Sequence, residues 1–462
     1  NNFFLTILKA GTNMKGLVVV LPLVLGAFFC FQVIQSVHVD TVYSWSPFVF
    51  ENLPHKEQAL VDGHHQYYNS CSILPYGLSY NRPKECIFFA IPRRAHGIPA
   101  TVAFFNRNQY PHDKSPPLCG FPTYVHNYVP GWFGVNDLPG DDYKYSIYPG
   151  YTKTTPYRKS HHFVSVVYTV KSADCVRLYF VDTGTLEYPE GNICVRPPVL
   201  WGFSIDGCSE HEFDKPPAFK VSVPENVYKD PTGFGAFDVD TYGNCEEFAI
   251  YLPNYKDNKI VVYDNVKKSF WYFQHKTFNP LAEAGYLNGY NAPHDHLNLG
   301  VLSVIVGPEQ KGYCDVYYAP GSSCGLFKTS SKALRDYSQA PGSPTSPAFN
   351  FLGYRSPDHG SMLLYDSKTN VVFSDYWLSN SLTCWNVNKP LDEHHVVTLY
   401  NDLKYGADLS LDPDRNLWFL LLATNANPIS ERHCVHEYLY QLYKVNVDQL
   451  IHGTACDPHY HG

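Results

Sequence analysis

Along most of the chain, apolar and β-branched residues alternate or cluster in short runs cut by polar turns. That is the period of strands, not the 3.6-residue period of amphipathic helices. Residues 260–264 and 269–273 form one such pair, joined by Asn265-Val266-Lys267-Lys268. Residues 363–366 and 371–375 form another across Ser367-Lys368-Thr369-Asn370, and residues 409–412 and 417–422 a third across Pro413-Asp414-Arg415-Asn416. Asn, Asp, Ser and Pro in the connectors supply turn chemistry, so each pair predicts a hairpin. Helical periodicity is scarce, and residues 330–337 predict one short helical turn. The hairpin-bearing units recur roughly every 40 to 60 residues, which suits propeller blades better than a single sandwich. The repeat is too degenerate to count blades. Residues 338–348, rich in Ser and Pro, lie between strand signals and read as a surface loop within one domain.

The composition agrees with a β-rich fold. Aromatic residues make up 16% and charged residues only 17% of the chain, and aromatics suit pleated, half-buried surfaces. The start reads differently. Met14-Lys15 opens a positive start, residues 17–31 form a short apolar run, and Gln35-Ser36 offers a cleavage site, the layout of a secretory signal peptide. Residues 1–36 are therefore expected to be upstream sequence and signal, and residues 37–462 a single domain. No later run predicts a membrane span. Of thirteen cysteines, Cys30 falls in the signal, and the remaining even set predicts disulfides in an oxidising, extracellular compartment. By proximity alone Cys194–Cys208 and Cys314–Cys324 are plausible pairs. No Asn-x-Ser/Thr sequon occurs. The net charge of −8, without a basic cluster, argues against nucleic acid and anionic membrane as partners, and a monomer is expected.

Several local patterns suggest chemistry. Phe180-Val181-Asp182-Thr183-Gly184 approaches the aspartic-protease signature, but that chemistry needs two carboxylates sharing a proton, and no second Asp-Thr/Ser-Gly exists. Asp182 reads instead as a turn residue bonding nearby backbone, with Gly184 at a positive φ. Gly321-Ser322-Ser323-Cys324-Gly325 matches a nucleophile elbow formally, yet lacks the strand-to-helix context. His161-His162, His294-Asp295-His296 and His394-His395 are the visible histidine clusters among 21 histidines. Each could supply a general base, and each reads more simply as a solvated turn. No metal-ligand spacing or phosphate-binding loop stands out, so no metal or cofactor is expected.

The strand and turn Cys175-Val176-Arg177-Leu178-Tyr179-Phe180-Val181-Asp182-Thr183-Gly184 resembles a signature of the yellow/major royal jelly protein family. Residues 91–101 resemble its Pro-Arg-aromatic…Gly-Val-Pro-Ala-Thr element, with Arg94 where an aromatic is usual. Ser115-Pro116-Pro117-Leu118, residues 279–308, Cys384-Trp385-Asn386, Asn416-Leu417-Trp418 and residues 450–456 resemble further landmarks in the same order. Leu299 and Ser303 depart from the family's usual Asp and Gly. The resemblance implies an all-β, six-bladed β-propeller with disulfides Cys175–Cys245 and Cys384–Cys456. Some members bind biogenic amines in the central channel. By that resemblance Thr329, Asn350 and Phe351 would face the ligand: Thr329 and the Asn350 carbonyl would accept from the ammonium, and Phe351 would cover the ring. The plainer alternative is that Thr329 caps the following helical turn and Phe351 is core. Other members are associated with dopachrome conversion in pigmentation, and a structural or nutritive secreted protein is a third option. The expected activity is sequestration of a small aromatic amine, with no catalytic residue.

Overall fold

The computed structural model describes residues 39–53, 68–127, 162–172, 175–281, 298–343, 345–355, 360, 362–376, 380–401, 403, 406–422 and 440–460. These residues form six four-stranded antiparallel sheets and one two-stranded hairpin. Taken in chain order the sheets are the blades of a six-bladed β-propeller. Blade 1 runs from Gly77–Asn81 out to Cys119–Gly120, blade 2 from Val166–Ser172 to Phe219–Ser222, and blade 3 from Asp238–Thr241 to Ser269–Phe273. Blade 4 runs from Val301–Gln310 to Asn350–Tyr354 and blade 5 from Leu363–Asp366 to Val396–Asn401. Blade 6 begins with Gly406–Leu411, but its fourth, outermost strand is Asp40–Trp45 from the other end of the chain, paired with Tyr440–Asn446. Sharing one blade between the two ends closes the ring through backbone hydrogen bonds and covers what would otherwise be a bare sheet edge.

The three predicted hairpins are present at Lys259–Asp264/Ser269–Phe273, Leu363–Asp366/Val371–Tyr376 and Gly406–Leu411/Asn416–Leu422. Their turns share one device. The Asp264 carboxylate accepts from the amides of Val266 and Lys267, Asp366 from Lys368 and Asp412 from Asn416. Lys268, Asn370 and Arg415 then take positive φ values that let the chain reverse.

The first strand of each blade is innermost, and these six strands neighbour one another around the axis. An inner strand has no strand partner on its axial edge, so its amides need other acceptors. Side chains of the preceding blade supply them. Val306 donates to Asp238 (2.8 Å), Leu78 to Asp408 (2.7 Å), Leu363 to the Ser303 hydroxyl (3.2 Å) and Tyr80 to the Ser410 hydroxyl (3.3 Å). Between the faces of adjacent blades lie aromatic layers, such as Phe88, Phe121, Phe163, Trp201 and Phe203 between blades 1 and 2. Large rings fill the gap as the blades diverge outward, and their edge-to-face contacts add specificity to the burial.

Three disulfides among the described residues reinforce this ring. Cys86–Cys208 joins blades 1 and 2, Cys175–Cys245 joins blades 2 and 3, and Cys384–Cys456 ties blade 5 to the segment following blade 6. The two proximity pairings are corrected. Cys208 is bonded to Cys86, leaving Cys194 exposed as a thiol on the inserted hairpin. Cys314 and Cys324 are not bonded to each other, because strand Tyr313–Pro320 separates them by its whole length. Among the described residues no helix is long and apolar enough to cross a membrane.

Candidate ligand site

Asp182 ends the second strand of blade 2 with its side chain wholly buried. One carboxylate oxygen accepts from the amides of Ser165 (2.8 Å) and Gly184 (3.0 Å), and the other from Val164 (2.8 Å) and the buried Arg196 guanidinium. Gly184 has φ +68°, and a Cβ there would stand 2.1 Å from the Arg196 carbonyl oxygen. The Asp-Thr-Gly turn is therefore a structural knot with every lone pair engaged. It is not a protease carboxylate.

Thr329, Asn350 and Phe351 all belong to blade 4. Thr329 lies on its third strand, Gly325–Ser330, and Asn350 and Phe351 open its outermost strand. None of the three stands on an inner strand. Their side chains divide between inside and outside. Asn350 is exposed and Phe351 is 50% exposed, its ring 5.5 Å from Phe327 and 5.0 Å from Tyr354. Thr329 is only 3% exposed.

Strand alternation puts Thr329 on the same face as Phe327, toward blade 3. That face packs into a layer containing Trp271, Phe273, Phe278, Tyr318 and Phe349. Thr329 does not cap the following short helix, Ser331–Arg335. Ser330 does so, accepting from the Ala333 amide at 3.2 Å. The Thr329 hydroxyl is left buried with no hydrogen-bond partner, a costly state inside an apolar layer.

His275, which the sequence did not single out, joins this layer from the segment after blade 3. Its ring stacks on Phe349 at 5.0 Å, and Nδ1 meets the Thr277 hydroxyl at 2.7 Å, which in turn meets the Tyr318 hydroxyl at 2.7 Å. Nε2 is buried without a hydrogen-bond partner among the described residues. Burial pushes its pKa below the ordinary imidazole value, so near neutral pH it is an uncharged ring. An isolated His amid aromatics gives no periodic signal, which is why it was not visible in sequence.

The remaining candidates do not converge on this layer. His394 and His395 sit on a turn of blade 5, where His395 Nδ1 contacts the Asp392 carboxylate at 2.6 Å. His162 bonds the Val125 carbonyl oxygen at 2.6 Å. His161, His294 and His296 lie outside the described residues. Ser323 belongs to a turn between two antiparallel strands of blade 4, its hydroxyl accepting from the Gly325 amide, so the elbow geometry is not met.

The family model for the major royal jelly protein matches residues 164–456. Over 92% of this chain and 95% of its own length, Yellow-related salivary protein SP04 of Phlebotomus argentipes is 27% identical. Yellow-related salivary protein ASP2 of Phlebotomus orientalis is 26% identical over 93% of this chain and 99% of its own. Yellow-related salivary protein LJM17 of Lutzomyia longipalpis is 25% identical over 94% and 96%.

Proposed function

Because this chain belongs to the major royal jelly protein family, we propose that it is a secreted protein that binds and sequesters a small aromatic ligand, a biogenic amine, in blade 4. The observation that carries this reading is the Thr329 hydroxyl, buried without a partner against an aromatic layer. An ammonium donating to that oxygen would satisfy it, while the ligand's ring would be taken up by the surrounding aromatic faces. Asn350 and Phe351, on the exposed strand outside it, would form the lip, the Asn350 carbonyl accepting a second ammonium proton. Secretion is supported by the signal-like start, by relatives named as salivary proteins and by three inter-blade disulfides.

Calorimetric titration with serotonin, dopamine, octopamine and histamine tests the reading. One-to-one binding is expected, weakened about tenfold by Thr329→Val, the loss of one hydrogen bond of roughly 1–1.5 kcal/mol. Absence of binding to all four amines at micromolar concentration overturns it. Enzyme-dependent loss of dopachrome absorbance would then favour a pigmentation enzyme.

A further inference from the structure

Two adjacent arginines meet opposite fates. Arg93 is 1% exposed and fully engaged, its guanidinium donating to the carbonyls of Ile98, Phe163, Val164, Pro99 and Asn127. Arg94 points the other way. Its side chain keeps 31% of its exposure, its Nε lies 3.7 Å from Glu187 Oε1, and its Cζ sits 4.6 Å over the Tyr76 ring. Among the described residues its side chain donates no hydrogen bond, so the Nη fork is unused there.

The surroundings come from three blades at one end of the ring. Tyr76 immediately precedes the inner strand of blade 1, and Tyr168 lies on the inner strand of blade 2. These two approach closely because Gly77 separates them: a Cβ on Gly77 would be 3.0 Å from the Tyr168 Cα. Tyr255 occupies the turn between the second and third strands of blade 3, its hydroxyl donating to the Thr232 carbonyl at 3.3 Å. Glu187 comes from the hairpin inserted in blade 2, held beside Arg94 by its amide donating to the Arg93 carbonyl at 2.9 Å. Connections between second and third strands lie on the face where the inner strands begin, so all five residues converge there.

The hydrogen-bond inventory of this cluster is lopsided. Among the described residues the hydroxyls of Tyr76 and Tyr168 make no hydrogen bond, and Tyr168 is only 8% exposed. With the Arg94 fork, that makes three unused donor groups walled by aromatic faces. Glu187 offsets the charge of Arg94 through Nε and leaves the fork open. A guanidinium fork matches a carboxylate bidentately, and such charge-assisted bonds are about twice as strong as neutral ones. We propose that Arg94, Tyr76 and Tyr168 form a second ligand site at this end of the propeller, specific for a small aromatic carboxylate. The carboxylate would take the Arg94 fork and the Tyr168 hydroxyl, and the ring would lie against Tyr76 and Tyr255.

The site is separate from blade 4, and its test does not depend on amine binding. Two probes of the same skeleton, 4-hydroxyphenylacetate and tyramine, differ only in carrying a carboxylate or an ammonium. Titration of the purified protein is expected to show one-to-one binding of 4-hydroxyphenylacetate. Arg94→Gln should weaken it at least tenfold, Tyr168→Phe several-fold, and Arg94→Lys by an intermediate factor, since Lys keeps the charge without the fork. Any tyramine binding should be unchanged in all three. A melting temperature equal to that of the parent shows that each variant is folded. Carboxylate binding that is absent in the parent, or undiminished in folded Arg94→Gln, overturns the proposal.

Discussion

A carboxylate buried in a protein must be given donors or stay protonated, and Asp182 has been given four. The residues that supply them are Val164, Ser165, Gly184 and Arg196. Removing the side chain would leave Arg196, itself 4% exposed, as a buried cation without its counter-ion. Asp182→Ala is therefore expected to cost about 3–5 kcal/mol, read as a fall in the urea midpoint with an unchanged slope. Gly184→Ala is expected to destabilise through the same knot, by about 1–3 kcal/mol, since its Cβ would collide with the Arg196 carbonyl in a backbone region that L side chains rarely adopt. An unchanged midpoint in Asp182→Ala would mean that the four bonds are not what anchors this turn. Thr329 is the opposite case: a buried hydroxyl without a partner lowers stability, so Thr329→Val should raise the melting temperature of the ligand-free protein even as it weakens amine binding.

At the scale of strands and bridges, stability depends on what joins one blade to the next. Cys86–Cys208 closes a separation of 122 residues between blades 1 and 2, and its loss in Cys86→Ser is expected to cost about 4 kcal/mol. Cys194→Ser, at an exposed thiol, should leave the melting temperature unchanged. The reverse ranking would show that Cys194 is the bonded residue. The hairpins were legible in sequence because their determinants are local: an Asp, two or three polar residues and a position tolerant of positive φ. The Asp182 turn was legible for the same reason. The exchange of Asp40–Trp45 into blade 6 was not, because its cause is a pairing with Tyr440–Asn446 across almost the whole chain. That Thr329 stands on the third strand of its blade was not legible. That rank depends on which strand begins the blade, a fact of ring closure that periodicity does not carry. Arg94 and Tyr168 likewise come together only when the inner strands of blades 1 and 2 meet.

For the molecule as a whole, the ring of inner strands is held partly by acids that titrate. Asp238 in blade 3 and Asp408 in blade 6, three blades apart and so opposite each other, make the same bonds: one oxygen accepts from the following residue's amide and the other from the next blade's inner strand. Burial pushes Asp238 up from 3.8 to about 6, against the lowering effect of the Val306 and Val239 amides and with help from Asp240. Burial also raises Asp408 well above its ordinary value. The sign follows from linkage. Between about pH 4 and about pH 6 the folded protein holds a proton on Asp238 that the unfolded chain releases, so this residue's contribution to stability falls as pH rises across that window. Asp238→Asn keeps a carbonyl oxygen for the Val306 amide and cannot ionise. Its stability relative to the parent should therefore improve steadily from about pH 4 to about pH 6 and level off above, as measured by urea unfolding at intervals across that range. Carboxylates with lowered pKa values, such as Asp457 and Asp230, slope the other way in both proteins and cancel in the difference. A difference that does not vary with pH would mean that Asp238 is ionised throughout, and that the blade 3–4 junction is closed by a charged acceptor.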